Sequence, residues 1–454
     1  MPLLSILALS AFQTLTQVAS TQPVAEPPAK VEPGLDPRAP AETGPDSKEP
    51  KIDPQTLAPE IAKFVVREGY KVTVAVPRLD AARFMEFGAD GWLYVSRPRI
   101  GDIVALQDVD GDGVYDKSLQ YIDSMDGVQA MCFYDNALWF ATSGAIFKGE
   151  DTDGNGIANN IIEVTSDLPS GATHWWRSLL VNEDGIFTSI GDSGNINEEE
   201  STDRQKIWRF SHTGGDKTLW SSGVRNTEKL RLRPGTKEVW GIDHGSDSMG
   251  NTMGETAESF PLTDNNPPDE LNMYEKGKFY GHPFITGAMW PRPEYEKRED
   301  IIAIAARTVA PKLKLGAHWA ANGFTFVDPK INDATKSLPL DANGDMFAAC
   351  RGSWNRSSRD GYQIVRILFD KDQKMTDQLN AIAGAGAGEG KLGTGGKPIG
   401  IQTIVSTLDT SDKDNFKPLA RPVDCVQAPD GSILFTSDQP VGRIYRIKWV
   451  GTGK

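Results

Sequence analysis

The sequence predicts an all-β protein, specifically a six-bladed β-propeller closed by a strand from the N-terminal side. A theme of an apolar strand, an Asp-Gly or Asn-containing turn and a second apolar strand occurs six times after residue 60. The units recur at the intervals typical of propeller blades, and no amphipathic helix of ordinary length separates them. A two-domain β-sandwich is the structural alternative.

The individual units carry hairpin signals, and the ends of the chain indicate how the ring closes. The first unit reads FMEFGADGWLYVSRPRIGDIVAL, and the last reads VDCVQAPDGSILFTSDQPVGRIYRI. Asp-Gly turns between alternating apolar runs are typical of β-hairpins. The strand-like FVVREGYKVTVAV at residues 64–76 precedes the first unit and has no unit of its own. We expect it to pair into the last blade, because this removes an exposed sheet edge.

The segments outside the repeats indicate export and flexible connections. Residues 1–20, MPLLSILALSAFQTLTQVAS, are too short to span a bilayer and predict a secretory signal peptide, with a frayed apolar start as the alternative. Residues 21–60 are rich in proline and predict an extended linker, which leaves 61–454 as the propeller domain. The Gly-rich run GAGAGEGKLGTGG after residue 383 predicts a mobile surface loop. We therefore expect a periplasmic or secreted protein without an integral membrane segment.

Charge and cysteine usage exclude several functional classes. The 454-residue chain has a formal net charge of -14, which argues against nucleic acid and anionic membranes as partners. Cys132, Cys350 and Cys425 are widely spaced and form no C-x-x-C motif, so neither a zinc site nor a covalent haem is indicated. Each lies in an apolar run, where a buried thiol is expected.

Two acidic loops are candidate structural calcium sites. Their oxygen-bearing side chains are Asp108, Asp110, Asp112 and Asp116 in DVDGDGVYD, and Asp151, Asp153, Asn155 and Asn159 in DTDGNGIAN. Oxygen ligands at alternate positions around a Gly turn suit a hard cation. Neither loop has the glutamate at position twelve that an EF-hand requires. The alternative is an Asp/Asn/Gly-rich loop that only turns the chain.

Basic and polar residues stand at the starts or ends of strands in several different units. These residues are His174 in GATHWWRSLL, Arg225 and Asn226 in GVRNTEKLRL, His244 in GIDHGSD, Arg351 in CRGSWNRSS, and Arg421 in LARPVDC. In a propeller such positions lie at one mouth of the central channel, so we expect one axial pocket. Buried arginines without counter-charge are costly, and the pocket therefore predicts a polyanionic ligand. The alternative for any one arginine is a bridge between neighbouring blades.

Other histidines and tryptophans have less specific patterns. His318 in GAHWAANG is a further candidate for the pocket, whereas His212 and His282 are expected to be structural or surface residues. Trp175 or Trp176 could stack on a ligand, and packing between blades is the alternative.

Several of these runs together resemble the glucose/sorbosone dehydrogenases. They are RNTEKLRLRPGTKEVWGIDHG, PPDELNMYEKGKFYGHP, RGSWNRSSRDGYQIVRI and RPVDCVQAPDGSILFTSDQPVGRIYRI. That family consists of six-bladed propellers that use pyrroloquinoline quinone, and its most similar branch includes sorbosone and pyranose dehydrogenases. The resemblance covers most of residues 64–450, and the Gly-Ser-Trp-Asn-Arg and Asp-Glu-Leu-Asn segments are its most specific parts.

The resemblance implies a role for each matched residue. His174 matches the general base. Positions that hold the quinone's carboxylates and carbonyls match Arg225, Asn226, Arg351 and Arg421, and His244 is assigned to the same cofactor pocket. Gly245 and Ser246 match the loop whose backbone carbonyls ligate the catalytic calcium. An inserted segment, SMGNTMGETAESFPLTDNN, separates this loop from Asp269 and Glu270, which leaves the ligands there open. Gln129 is the candidate for the polar residue that the second blade offers to the cofactor.

The expected activity is oxidation of a sugar, an aldose or a sorbosone-like compound, with pyrroloquinoline quinone and Ca²⁺. His174 would take the hydroxyl proton while hydride passes to the quinone, and the rate should decline as the pH falls through a histidine pKa of about 6.5. Calcium would polarise the quinone carbonyl. No C-x-x-C-H motif is present, so electrons should pass to a separate acceptor such as a cytochrome or a quinone. A calcium-dependent lactonase and a non-catalytic propeller are the alternatives.

Overall fold

The computed structural model describes residues 53–250, 260–287, 289–371, 396–411 and 416–452. The expected signal peptide, most of the expected linker, and the Gly-rich run apart from its last residue lie outside the described residues, as does the middle of the inserted segment. Among the described residues, no helix has both the length and the apolar character needed to cross a membrane.

Six sheets, each built on four antiparallel strands, form the blades of a propeller, which confirms the predicted fold. A two-residue fifth strand extends blade 3 (Lys278–Phe279) and blade 5 (Val65–Val66). Blades 1 to 3 consist of Met85–Phe87, Leu93–Arg97, Asp102–Gln107 and Lys117–Ile122; Met131–Tyr134, Ala137–Ala141, Ile146–Glu150 and Asn160–Thr165; and Leu180–Asn182, Gly185–Ile190, Lys206–Phe210 and Thr218–Ser222. Blades 4 to 6 consist of Thr227–Leu232, Val239–Asp243, Pro268–Tyr274 and Leu313–Ala317; Ala321–Phe326, Met346–Arg351, Tyr362–Phe369 and Pro398–Ser406; and Pro422–Gln427, Ile433–Ser437, Arg443–Trp449 and Tyr70–Val76.

Blade 6 closes the ring with strands from both ends of the propeller. Tyr70–Val76 pairs antiparallel with Arg443–Trp449, as the sequence predicts, whereas Val65–Val66 of the same run pairs with Pro398–Ser406 of blade 5. The innermost strand of each blade contacts that of the next, and the innermost strand of blade 6 contacts that of blade 1. The side chain of Gln55 bonds both backbone groups of Val74, so residues at the end of the expected linker pack against blade 6.

Short elements decorate the blades. The short helices are the 3-10 helices Pro54–Leu57, Pro59–Lys63, Pro293–Tyr295 and Leu340–Ala342, and the α-helices Phe260–Asn265, Ile301–Arg307 and Pro329–Thr335. The additional strands are Val65–Val66, Lys278–Phe279, Ile285–Thr286, Trp290–Pro291, Leu408–Asp409 and Lys417–Pro418. Most of the elements between Phe260 and Arg307 belong to an excursion of blade 4, which places additional chain beside blade 3.

The core consists of apolar side chains that pack between and within the blades. All three cysteines are buried free thiols, as expected, and burial raises the pKa of Cys132 to about 11. They therefore act as small apolar side chains rather than as nucleophiles.

Candidate active site

His174 lies at one mouth of the channel as a buried, neutral imidazole. Its Nδ1 is 2.8 Å from the carbonyl oxygen of Asp192, so Nδ1 carries the proton and Nε2 keeps its lone pair. Burial, followed by the charge of Arg225, lowers the pKa of His174 to about 3. Nε2 has no hydrogen-bond partner among the described residues. His174 is therefore a ring with a free acceptor nitrogen across the physiological pH range.

The strand end that carries Asp192 approaches His174 so closely that only glycine fits beside it. A Cβ atom at Gly191 would lie 2.7 Å from the carbonyl oxygen of Arg225 and 2.8 Å from the Cβ of His174. The sequence IGDSG thus brings blades 3 and 4 together around the imidazole. Asp192 is itself held by His282, whose Nε2 lies 2.7 Å from its carboxylate.

Glu228 connects polar side chains from four blades on the axis. Its carboxylate accepts hydrogen bonds from Arg83, Gln129, Asn226 and Asn322, at 2.9 to 3.3 Å. The register of blade 4 shifts between residues 227 and 230, in the stretch that carries Glu228. The innermost strands and the residues just before them therefore bring these side chains, including the predicted Gln129 and Asn226, to one point.

Three arginines and two carboxylates leave the axial cluster with a net positive charge. Asp438 accepts hydrogen bonds from Arg83 at 3.1 Å and from Arg351 at 3.0 Å. Within the described ranges, the guanidinium of Arg421 donates only to the carbonyls of residues 351 and 352 and to the side chain of Gln439, and it forms no ion pair. Burial, followed by the charge of Arg351, lowers the pKa of Arg421 to about 10. With Glu228 the cluster therefore carries three positive charges and two negative ones.

Arg225 contacts the loop that the resemblance assigns to calcium. Its guanidinium donates to the carbonyl of Gly245 at 2.9 Å and to both oxygens of Asn195 at 2.8 and 2.9 Å. A Cβ atom at Gly245 would lie 2.6 Å from the carbonyl oxygen of Pro267, so only glycine permits this approach. Beside the loop lies a cavity of about 20 Å³, lined by residues that include Gly245 and Ser246.

His244 is hydrogen-bonded through both ring nitrogens, and its place in the cofactor pocket stays a prediction. Its Nδ1 lies 3.1 Å from the amide nitrogen of Asn226, and its Nε2 lies 3.1 Å from the carbonyl oxygen of Ala321. Both ring nitrogens are therefore taken by protein groups. His244 holds Asn226 and ties blade 4 to blade 5, and only its ring face is left for a ligand.

The remaining aromatic and histidine candidates divide between the mouth and the periphery. Trp175 and Trp176 stack on each other at 3.7 Å, and the guanidinium of Arg83 lies 4.9 Å from the Trp176 ring. His318 bonds the carbonyl of Thr263 and is not hydrogen-bonded to the axial cluster. His212 bonds the carbonyl of Asn182 and stacks on Tyr134 away from this mouth.

The acidic loops satisfy much of their own hydrogen bonding. The carboxylates of Asp108, Asp110 and Asp112 lie within 4.8 Å of one another, whereas Asp116 accepts from the backbone of Val109. In the second loop, Asp151 accepts from the backbone of residues 154, 155 and 156. Asp153 accepts from Asn155, and Asn159 accepts from Thr152. Calcium binding at either loop stays a prediction.

Three charged residues of the axial cluster, and the uncharged Asn322, were not predicted from the sequence. Arg83 stands just before the innermost strand of blade 1, as Arg421 stands before that of blade 6, so the same criterion would have found it. Asp438 directly follows a strand at the same mouth. Glu228 has no comparable signal, because its direction depends on a local register shift.

Comparison with known proteins identifies the class to which this fold and site belong. The TrAA12-like family model matches residues 64–449, so the chain belongs to that family.

Solved structures with the same fold include the holo form of the pyranose dehydrogenase PQQ domain from Coprinopsis cinerea. This structure has a TM-score of 0.66 and 17% identity, and the alignment covers 85% of this chain and 97% of that one. The calcium structure of the AA12-family enzyme from Trichoderma reesei has a TM-score of 0.64 and 17% identity, with the same coverage. The apo aldose sugar dehydrogenase from Escherichia coli has a TM-score of 0.56 and 16% identity, covering 84% of this chain and 99% of that one.

Two curated relatives are uncharacterized proteins. The protein from Borreliella burgdorferi is 29% identical over 229 residues, which are 50% of this chain and 47% of that protein. The protein from Synechocystis is 29% identical over 167 residues, 31% of this chain and 35% of that protein. This chain thus spans less than half of each of these relatives.

Proposed function

We propose that the protein is an oxidoreductase that oxidises a sugar, an aldose or a sorbosone-like compound, with pyrroloquinoline quinone and Ca²⁺. The electrons would pass to a separate acceptor, and the protein would work in the periplasm or outside the cell. Family membership and the fold shared with pyranose and aldose dehydrogenases support the proposal. The site supports it independently.

The observation that carries the proposal is the combination of a neutral base with an under-compensated cationic cluster. His174 offers a free Nε2, and Arg421 has no carboxylate partner within the described ranges. A partly buried guanidinium without counter-charge is unfavourable unless an anion completes it. Pyrroloquinoline quinone is a tricarboxylate, so its charge and its carboxylate geometry suit guanidinium groups.

The residues that would hold the quinone are distributed around the axis. Arg421 and Arg351 would bind its carboxylates, and Arg225 and Asn226 would lie on the side of blade 4. Calcium fits the Gly245–Ser246 loop because carbonyl oxygens are ligands that this ion accepts, and Gly245 keeps a second lone pair beside its bond from Arg225. When bound, the quinone supplies a two-electron acceptor for hydride from the sugar carbon.

His174 would accept the proton of the sugar hydroxyl at Nε2. The carbonyl of Asp192 fixes the Nδ1–H tautomer, so the lone pair stays on Nε2, the nitrogen that would accept the proton. The low pKa of the ring keeps this lone pair available in acidic solution as well. It also favours release of the proton once the carbonyl product has formed.

The lactonase alternative is less consistent with this site. A metal-dependent lactonase needs carboxylates and amides that are free to bind an axial metal. Glu228 accepts four donors, and Asp438 is shared between two guanidinium groups. Both axial carboxylates are therefore occupied by protein groups.

Equilibrium titration of the protein with pyrroloquinoline quinone, with and without calcium, tests the proposal. We expect saturable binding at one site that calcium strengthens. Changing Arg225, Arg351 and Arg421 together to methionine should abolish it. Binding of equal strength to this triple variant would show that the pocket lies elsewhere.

A further inference from the structure

Arg177 is a fully buried arginine beside the candidate base, and the function proposed above gives it no role. Its side chain is 1% exposed. It donates to the carbonyl of His174 at 3.2 Å, to that of Trp176 at 3.0 Å, and to that of Pro169. Its own backbone forms a bridge with Ile190 of the neighbouring strand, so its position is set by blade 3.

Arg204 holds the same loop from a second side. Its guanidinium donates to the carbonyls of Ser170 and Gly171 at 3.3 and 3.1 Å, and to that of Gly191 at 3.3 Å. Neither Arg177 nor Arg204 forms an ion pair within the described part of the chain. The two guanidinium groups together bind carbonyls at five positions of the 169–176 loop.

Burying these two guanidinium groups without a counter-charge lowers the stability of the folded protein. Burial, with the charge of Arg204 as the next cause, lowers the pKa of Arg177 to about 9, and its Nε has no hydrogen-bond partner. An apolar side chain of similar volume would avoid the desolvation cost of a buried charge. An apolar side chain, however, cannot hold several carbonyls of one loop at once, as the planar guanidinium of arginine does.

We propose that Arg177, with Arg204, is a positioning residue that fixes the 169–176 loop and thereby holds the His174 ring against Asp192, shielded from water. The proposal rests on the function proposed above, in which His174 is the base. It concerns kcat rather than cofactor affinity, because none of the bonds of Arg177 reaches the axial cluster.

The ionisable groups around His174 lie on three elements. Arg225 and His244 face it from blade 4, and Asp192 from its own blade. If the His174 ring were displaced, it would become exposed to solvent, and burial, the main cause of its low pKa, would be lost. Its pKa should then move toward the ordinary value of about 6.5.

The test uses Arg177→Met, with Arg233→Met as the matched control. Arg233 is also buried, its guanidinium bonds the carbonyls of Gly344 and Gly396, and burial lowers its pKa. It does not touch the 169–176 loop. Arg177→Lys, which keeps the charge but not the fork, replaces the methionine variant should that variant fail to fold.

The first readout is nitrogen NMR of histidine-labelled protein without cofactor, which is practical because the chain has only five histidines. The difference from His174→Ala assigns the ring. In the parent and in Arg233→Met, His174 should stay neutral with Nδ1 protonated from pH 8 down to about pH 5. In Arg177→Met it should begin to protonate roughly one to three pH units higher than in the parent.

The second readout is the kinetics of the reconstituted protein. Arg177→Met should lower kcat roughly 10- to 100-fold, the scale of a misplaced group, and leave the Kd for the quinone within about twofold. A folded Arg177→Met protein with the parent's nitrogen spectrum and pH profile would overturn the proposal. Should the parent oxidise no sugar, the proposed function fails, and the NMR result still decides whether Arg177 positions the ring.

Discussion

Replacing Arg421 with methionine separates a ligand-binding arginine from a blade-bridging one. Arg421 bonds two carbonyls and the amide oxygen of Gln439, but no carboxylate in the described residues. Its pKa of about 10 means that the fold disfavours its charge. Methionine keeps the length of the side chain and removes the charge and the donors.

The expected effect on the stability of the cofactor-free protein is small. The lowered pKa corresponds to a cost of at most about 3 kcal/mol, reduced by solvent screening because the group is partly exposed. The three lost hydrogen bonds contribute about 1 kcal/mol each. These effects nearly cancel, so the melting temperature should change by no more than about 2 °C.

The expected effect on quinone affinity is large. A charge-assisted bond to a carboxylate contributes about 1.5–3 kcal/mol, so the Kd should rise roughly 10- to 150-fold. Arg351→Met is the comparison, and it should also weaken quinone binding. Because this change removes a hydrogen bond to the carboxylate of Asp438, it should in addition lower the free energy of unfolding by about 2–3 kcal/mol.

Thermal melting of the cofactor-free variants and fluorescence titration with the quinone give both quantities on the same samples. A markedly less stable Arg421→Met protein with an unchanged Kd would refute this reasoning. Arg421 would then be a bridge between blades 5 and 6.

Three further predictions concern the axis, the base and the ring. Glu228→Gln should destabilise the protein by about 3 kcal/mol in chemical denaturation, since it breaks the buried ion pair with Arg83. Glu86→Gln should lower the stability in the same way through its ion pair with Arg231. An unchanged stability of Glu228→Gln would contradict the role of Glu228 as a connection between blades. Because the pKa of His174 is lowered in the folded state, kcat should stay constant from pH 7 to pH 5. The free energy of unfolding should decrease below about pH 6.5, since His174 then binds a proton in the unfolded state only. A kcat profile with a midpoint near pH 6.5 would contradict the buried geometry of His174. Removing residues 1–52 should leave a folded protein that elutes like the parent in size-exclusion chromatography. Removing 1–76 should leave Arg443–Trp449 as an unpaired edge of blade 6 and cause aggregation, and equal behaviour of the two truncations would refute closure by Tyr70–Val76.

The sequence was sufficient for the fold because each unit carries its own strand and turn signals. Even the closing strand could be predicted, since FVVREGYKVTVAV precedes the first repeat and belongs to no unit of its own. The contact of Arg421 with Arg351 agrees with their positions at the start and end of strands at one mouth. The presence of Arg225 in the same pocket stays a prediction, since its guanidinium bonds Asn195 and Gly245.

The interactions between blades were beyond the reach of the sequence. Nothing local indicates that both nitrogens of His244 are taken by Asn226 and Ala321, since Ala321 is far away in the chain. The pKa of His174 likewise depends on burial by elements that are distant in sequence. The side chain of Glu228 lies on the axis because the strand register shifts beside it, and hydrophobic periodicity does not predict such a shift.

Dye reduction by the reconstituted protein tests the central claim most directly. The parent and His174→Ala would be saturated with pyrroloquinoline quinone and calcium and offered a panel of aldoses and sorbosone. We predict sugar-dependent reduction by the parent, and a turnover roughly 10²- to 10⁴-fold lower in His174→Ala at the same quinone content. Equal turnover of the two proteins, or no reduction by the quinone-loaded parent with any sugar, would contradict the account.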